Sequence, residues 1–301
     1  MEVGLTCLSR SIERSPLGLL RACCSSVTKR LYVFVLDSPG PVTSSVLRCI
    51  EAWYGVVGTA NPTLDVVPLF PQAGWSTNSV SALDVSGYLT ANDQPLFDQW
   101  NTRRAKEGLP SIPILQVPFD ELPQPDTTPP ADVDEVPYRF DRVAVGGTFD
   151  RMHAGHRLLL SATALVSDRV VFLGITADKL LLKKNHKELL EPYDFRCQSA
   201  VDFIKSIRPS LEVTAAPLLD PMEPTAAETK KEMQALVVSE ETISGGAAIN
   251  EGRIRRGFDP LTIVCVGLVK GAEDSEKVSS TSLRAADAVG FAAGLRKSEQ
   301  L

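Results

Sequence analysis

Histidine is scarce in this sequence, with three in 301 residues. Imidazole is the commonest metal ligand in proteins, so a metal centre built on it has little material, and no Cys-x-x-Cys pair supplements it. The six cysteines are too sparse for a disulfide framework and fit a reduced compartment. Cys197 and Cys265 lie in apolar patterns and read as small buried hydrophobes. No apolar run reaches the roughly 18 residues of a membrane span. Positive charge is also short: the formal net charge of -6 excludes a general nucleic-acid binder, while a local basic patch still allows small phosphorylated substrates.

What is present is an ordinary globular composition, 44% hydrophobic and 23% charged. A chain of this length suits two domains of about 100 to 200 residues. The first 30 residues carry five Lys and Arg among many serines, but Glu2 and Glu13 speak against an organellar leader. That stretch reads as a loosely packed N-terminus of a cytoplasmic protein.

The first half shows few clear elements. Leu31 to Leu36 and Val66 to Phe70 read as strands, and Val42 to Val57 reads as a helix with Val46, Ile50 and Trp53 on one side. Beyond them Gly, Ser, Asn and Pro scatter without a period, which predicts long loops. Eight of the 21 prolines fall between Pro110 and Pro137. Proline fixes φ and removes a donor, so this stretch predicts a linker. The division is an N-terminal region at 1–121, a proline-rich linker at 122–138 and a second domain at 139–301.

After the linker, strand and helix patterns alternate. Strands are expected at Arg142 to Val145, Arg169 to Thr176, Leu211 to Leu218, Ala235 to Ser239 and Leu261 to Val266. Helices are expected at His153 to Val166, from Glu191 to Pro209, at Ala247 to Arg256 and at Thr281 to Ala293. Strands that are apolar along their whole length predict a five-stranded parallel sheet with helices on both faces, an α/β Rossmann-like fold preceded by a less regular α/β region. Such sheets bind ligands beyond the carboxyl ends of their strands.

Four stretches lie at those ends. Val143 to His156 reads Val-Ala-Val-Gly-Gly-Thr-Phe-Asp-Arg-Met-His-Ala-Gly-His, a strand that breaks at two glycines and restarts as a helix. Free N–H groups at a helix start carry roughly +0.5 charge and accept phosphates. His153 and His156, three residues apart, share a helix face; His186 lies in a separate polar loop, so phosphate contact outweighs metal binding. Lys277 to Arg284 puts Ser279, Ser280 and Thr281 before the last helix with a cation on each side, a second phosphate cradle. Lys183 and Lys184 follow the second strand and could anchor an acidic substrate. Gly245-Gly246 would let backbone approach a ligand before a helix.

The first of these stretches resembles the signature of the nucleotidyltransferase superfamily marked by an HxGH motif, and Lys277 to Arg284 is similar to its serine-rich second motif. With the Lys-Lys loop, Asp220-Pro221 and Val-Val-Ser-Glu-Glu-Thr before Gly-Gly, the chain is identified as resembling eukaryotic-type phosphopantetheine adenylyltransferases over about residues 140 to 293. The resemblance implies that ATP and 4′-phosphopantetheine give dephospho-coenzyme A and pyrophosphate by in-line transfer. Mg²⁺ would be held chiefly by the ATP phosphates. It implies catalytic roles for His156, Thr148 and His153. ATP would also meet Gly146, Gly147, Phe149, Gly155, Gly245, Ser279, Ser280, Thr281 and Arg284. The acceptor would be held by Thr148 and by Lys183 or Lys184.

The animal enzymes of this type continue into a kinase that needs GxxxxGK[ST]. No such run occurs here, which implies a separate dephospho-coenzyme A kinase and a layout like the fungal one. Two other readings stand beside this one. A cytidylyltransferase or a nicotinamide mononucleotide adenylyltransferase would share the first motif, although Lys277 to Arg284 departs from the cytidylyl pattern Arg-Thr-x-Gly-Ile-Ser. An inactive scaffold would keep the fold without its chemistry.

Overall fold

The computed structural model describes residues 1–8, 17–36, 40–123, 137–182, 184–220, 223–271 and 277–298. Most of the proline-rich stretch, Lys183 and Pro221 therefore lie outside the described residues.

The N-terminal half builds β1 (Val3–Leu8), α1 (Leu17–Ser26), β2 (Arg30–Val35), α2 (Ser44–Ala60), β3 (Asp65–Leu69), α3 (Thr77–Ser81), β4 (Gly87–Thr90), α4 (Gln94–Lys106) and β5 (Ile114–Gln116). The C-terminal half builds β6 (Phe140–Gly147), α5 (Ala154–Val166), β7 (Ser167–Thr176), α6 (Tyr193–Ile207), β8 (Glu212–Leu218), α7 (Ala226–Thr229), β9 (Ala235–Ser239), α8 (Ile243–Arg255), β10 (Thr262–Val266) and α9 (Ser280–Ser298). Each half holds one five-stranded sheet, ordered β3-β2-β1-β4-β5 and β8-β7-β6-β9-β10, and all named strands pair in parallel.

The α/β expectation holds, and the first half is more regular than its sequence suggested. Its opening residues, expected to pack loosely, form the central strand of the first sheet, with Leu5 fully buried. The long loops expected after Phe70 are instead the short elements α3, β4, α4 and β5. α4 escapes a periodicity search because only Phe97, Trp100 and Arg104 of its thirteen residues are buried. Cys265, expected inside, is exposed, because β10 lies at the edge of the second sheet.

Alternation along β6 sends Val143 and Val145 to one side and Ala144 to the other. The first side carries α5. A helix that covers a sheet in a single layer keeps one face in solvent, yet eleven of the thirteen residues of α5 are buried. The first lobe covers the outer face, and one apolar core runs through both halves. At the seam the Tyr54 hydroxyl donates to Val66 O (2.8 Å) and meets Ser161 Oγ at 2.8 Å. Trp75 Nε1 donates to Ile207 O at 2.7 Å, and Gly267 N donates to Glu51 Oε1 at 2.8 Å.

Candidate active site

β6 ends at Gly147, and the chain must turn sharply to begin α5 seven residues later. Phe149 (φ 50°) and Arg151 (φ 47°) both take left-handed backbone, a strained choice for side chains of their size. A Cβ on Gly147 would stand 2.9 Å from the Phe149 ring, so the turn closes only around a glycine. The carbonyl of Thr148 in this turn accepts from Arg196 Nη1 (2.8 Å), which also reaches Thr176 O (2.9 Å) at the end of β7. Arg196 Nε donates to Glu191 O at 3.0 Å. One buried guanidinium thus joins three loops.

His153 is the N-cap of α5: its Nδ1 accepts from Gly155 N at 3.2 Å. With Nδ1 accepting, the neutral ring carries its proton on Nε2. The His153 and His156 rings stack with centroids 3.9 Å apart, and Phe149 lies 5.3 Å from His156. Burial, aided by the Arg157 charge and opposed by Asp150, pulls His153 down to about 4. Burial, then His153 and Arg157, hold His156 well below the usual histidine range. Both rings are neutral donors at neutral pH. His156 Nδ1 is buried and meets no hydrogen-bond partner among the described residues.

Asp150, with no exposed surface, ties this turn to the start of α9. Its carboxylate accepts from Arg284 Nη1 and from Glu191 N (2.9 Å), and its carbonyl accepts from Ser280 Oγ (2.7 Å). Arg284 Nη2 donates to Thr281 Oγ1 at 3.1 Å, while Arg151 Nε donates to Asp287 Oδ2 at 2.7 Å. Ser279 accepts from Ser282 N at 3.1 Å and so closes the first turn of α9. The start of α9 therefore lies beside the His153–His156 turn, and two helix N-termini serve one region. On the opposite face of the sheet a cleft of about 260 Å³ opens between β8 and α8, lined mainly by apolar groups such as Phe172, Leu218, Val238 and Ile249, with Gly146 and Asp220 at its polar parts.

Residues 144–286 match the family model described as cytidylyltransferase-like. The chain is 44% identical over 149 residues to phosphopantetheine adenylyltransferase of Saccharomyces cerevisiae, a match covering 48% of each chain. It is 41% identical over 146 residues to phosphopantetheine adenylyltransferase of Methanopyrus kandleri, covering 48% of this chain and 90% of that one. The chain belongs to the phosphopantetheine adenylyltransferase family. A further relative of that name, from Thermococcus gammatolerans, is 38% identical over 154 residues and is covered over 89% of its length. The chain spans about half the length of the Saccharomyces relative.

Within this family frame, the residues singled out from sequence fall into four groups. Gly146, Gly147, Thr148, Phe149, His153, Gly155 and His156 form the turn itself, and Ser279, Ser280, Thr281 and Arg284 stand next to it. Arg284 is buried against Asp150 and not turned toward open space. Gly245 lies within the first turn of α8 and not in a loop before it, because a 3₁₀ turn at Glu240–Thr242, capped by a box between Ser239 and Thr242, runs directly into the helix. Its neighbour Gly246 lets that helix approach Ile263, which a Cβ would meet at 3.3 Å. Lys184 is exposed on the loop after β7; Lys183 lies outside the described residues. Sequence reasoning missed Asp150, Glu191 and Arg196. Asp150 sat inside the quoted motif, and its position between Phe149 and Arg151 was the available signal; nothing local marks Arg196.

Proposed function

We propose that this chain transfers the adenylyl group of ATP to 4′-phosphopantetheine, releasing pyrophosphate and forming dephospho-coenzyme A. The observation that carries the reading is the stacked, neutral His153–His156 pair at one helix N-terminus, joined through Asp150 to a second helix N-terminus at Ser280. In an in-line transfer an oxygen of the acceptor phosphate bonds to the α-phosphorus while the bond from that phosphorus to the bridging oxygen of pyrophosphate breaks. Negative charge grows on the α-phosphate oxygens and on the leaving group, and preorganised donors lower the barrier. His156, half-buried and stacked on His153 at the start of α5, is assigned to the α-phosphate. His153 lines the phosphates, and Ser279, Ser280 and Thr281 with the α9 N-terminus take the β and γ phosphates. Thr148 and a lysine of the 183–184 loop place the acceptor phosphate.

Among the described residues no group of three or more His, Cys, Asp and Glu stands together to hold a metal, and the Asp150 carboxylate is already paired. In this proposal Mg²⁺ would arrive with ATP, held mainly by the phosphates, and would supply charge neutralisation for the leaving group.

Pyrophosphate release from ATP, measured with 4′-phosphopantetheine, nicotinamide mononucleotide and phosphocholine as acceptors, tests the reading. Release only with 4′-phosphopantetheine is expected. Release with only one of the other two would overturn it.

A further inference from the structure

The two sheets share one strand order, and the likeness extends to individual side chains. Asn101 on α4 donates to Ile112 O and accepts from Ile112 N, both at 2.8 Å. Asn250 on α8 does the same with Leu261, at 3.0 and 2.8 Å. Arg104 and Arg253, both buried, send Nε to Pro110 O (2.7 Å) and Asp259 O (2.8 Å). Their Nη1 atoms reach Ser81 O (2.9 Å) and Lys230 O (2.8 Å). Gly108 and Gly257 end the two helices at φ 73° and 71°, and the next residue in each case bonds back to the arginine carbonyl. Ser76 and Thr225 stand as N-caps of α3 and α7. Each of these pairs, donors and acceptors included, is separated by the same 149 residues. Parallel α/β sheets are common, but buried Asn and Arg anchors making the same backbone bonds at one constant spacing are not required by the fold.

The chemistry is not duplicated. All three histidines lie in the C-terminal half. Counted from the helix start, α1 reads Leu17-Gly18-Leu19 where α5 reads Ala154-Gly155-His156, and Leu19 is buried in the core. β5 is followed by Val117-Pro118, with no serine cluster.

The first lobe grips the second on either side of the histidines. Ala154 N, at the start of α5, donates to Pro62 O at 2.8 Å. Asp65, three residues on, accepts from Arg157 Nε at 3.2 Å and from Arg30 Nε at 2.6 Å. Arg157 Nη1 in turn donates to Met152 O at 2.5 Å. Met152 and Arg157 bracket the His153–His156 turn, so Asp65 fixes the residues immediately before and after it.

We infer that the N-terminal sheet and its helices are a second copy of the histidine-bearing lobe, without its chemistry, and that Asp65 of this copy is a positioning residue for the His153–His156 turn.

The turnover and titration arms of the test rest on the adenylyl-transfer reading; the resonance arm does not. In the full chain, Asp65→Asn is expected to lower kcat about tenfold with the KM for ATP changed less than about threefold, as for a displaced donor. Asp65→Glu should restore most of the loss, and Arg30→Gln, which removes the other partner of Asp65, should leave kcat near wild type. Wild-type kcat in folded Asp65→Asn overturns the positioning role. Should that variant fail to fold, Asp65→Asn with Arg157→Gln removes both charges together, and wild-type kcat there has the same meaning. On the protein alone, Asp65→Asn should shift the His153 and His156 ring resonances in the NMR spectrum and leave His186 in place; unmoved resonances overturn the role whatever the substrate. Titration with a non-hydrolysable ATP analogue should give one site per chain, abolished by Ser280→Glu. Two sites would show that the first copy keeps its chemistry, and no site at all would count against the adenylyl-transfer reading only.

Discussion

The guanidinium of Arg284 lies against the carboxylate of Asp150, two side chains 134 residues apart in sequence and both nearly free of solvent contact. Through this pair the turn after the first strand of the second sheet and the helix after its last strand become one rigid unit. Removing one member of a buried pair leaves the other charge uncompensated, at a cost of about 3–5 kcal/mol. Asp150→Asn is therefore expected to lower stability by about that amount in chemical denaturation, and Asp150→Asn with Arg284→Gln to recover part of it. A loss below about 1 kcal/mol would show that the pair does not hold the two segments together.

Acid stability follows from the histidines. His153 titrates at about 4 in the folded chain against an ordinary 6.5, so between those values the unfolded chain binds more protons than the folded one. Its contribution is present in full above about pH 6.5 and is lost as pH falls toward 4, on the order of 3 kcal/mol over the window. His156, shifted in the same direction, adds to the loss. Denaturation midpoints measured across this range should fall more steeply with acid in the wild type than in His153→Asn. Equal slopes would remove His153 from the account.

The shared core bears on truncation. A fragment beginning at Tyr138 would expose the outer face of α5, including Ser161, which meets Tyr54, and Arg157, which pairs with Asp65. The apolar core that runs through both halves would be cut open at the same seam, and contiguous apolar surface promotes association. The fragment is expected to aggregate or to melt well below the full chain in light scattering and thermal denaturation. A monomeric fragment with full-chain stability would show that the seam adds nothing.

Much of the second lobe was legible because its inner strands carry apolar runs, Val143–Val145 in β6, Val170–Leu173 in β7 and Ala235–Val238 in β9, and its helices begin at marked residues. α5 begins at Ala154, one residue after the expected start at His153, which caps it, and the observed helix at Tyr193–Ile207 falls within the stretch from Glu191 to Pro209. The first lobe was harder to read because its strands are short and α4 buries few residues, leaving weak periods. The hub at Asp150 was hidden for a different reason. Asp150 and Arg284 meet only after the sheet has formed, and no local pattern encodes a contact of that range. The equivalence of Asn101 with Asn250 was likewise invisible while the two helices that carry them looked unrelated in composition.

The most direct test of adenylyl transfer is the product itself. The full chain incubated with ATP, Mg²⁺ and 4′-phosphopantetheine should form dephospho-coenzyme A, seen by mass spectrometry, in equal amount with pyrophosphate. His156→Ala, folded as the wild type by circular dichroism, should form it at least about a hundredfold more slowly, the size expected for loss of one transition-state donor. Absence of dephospho-coenzyme A from the wild-type reaction, or its formation at an undiminished rate by His156→Ala, would contradict the account.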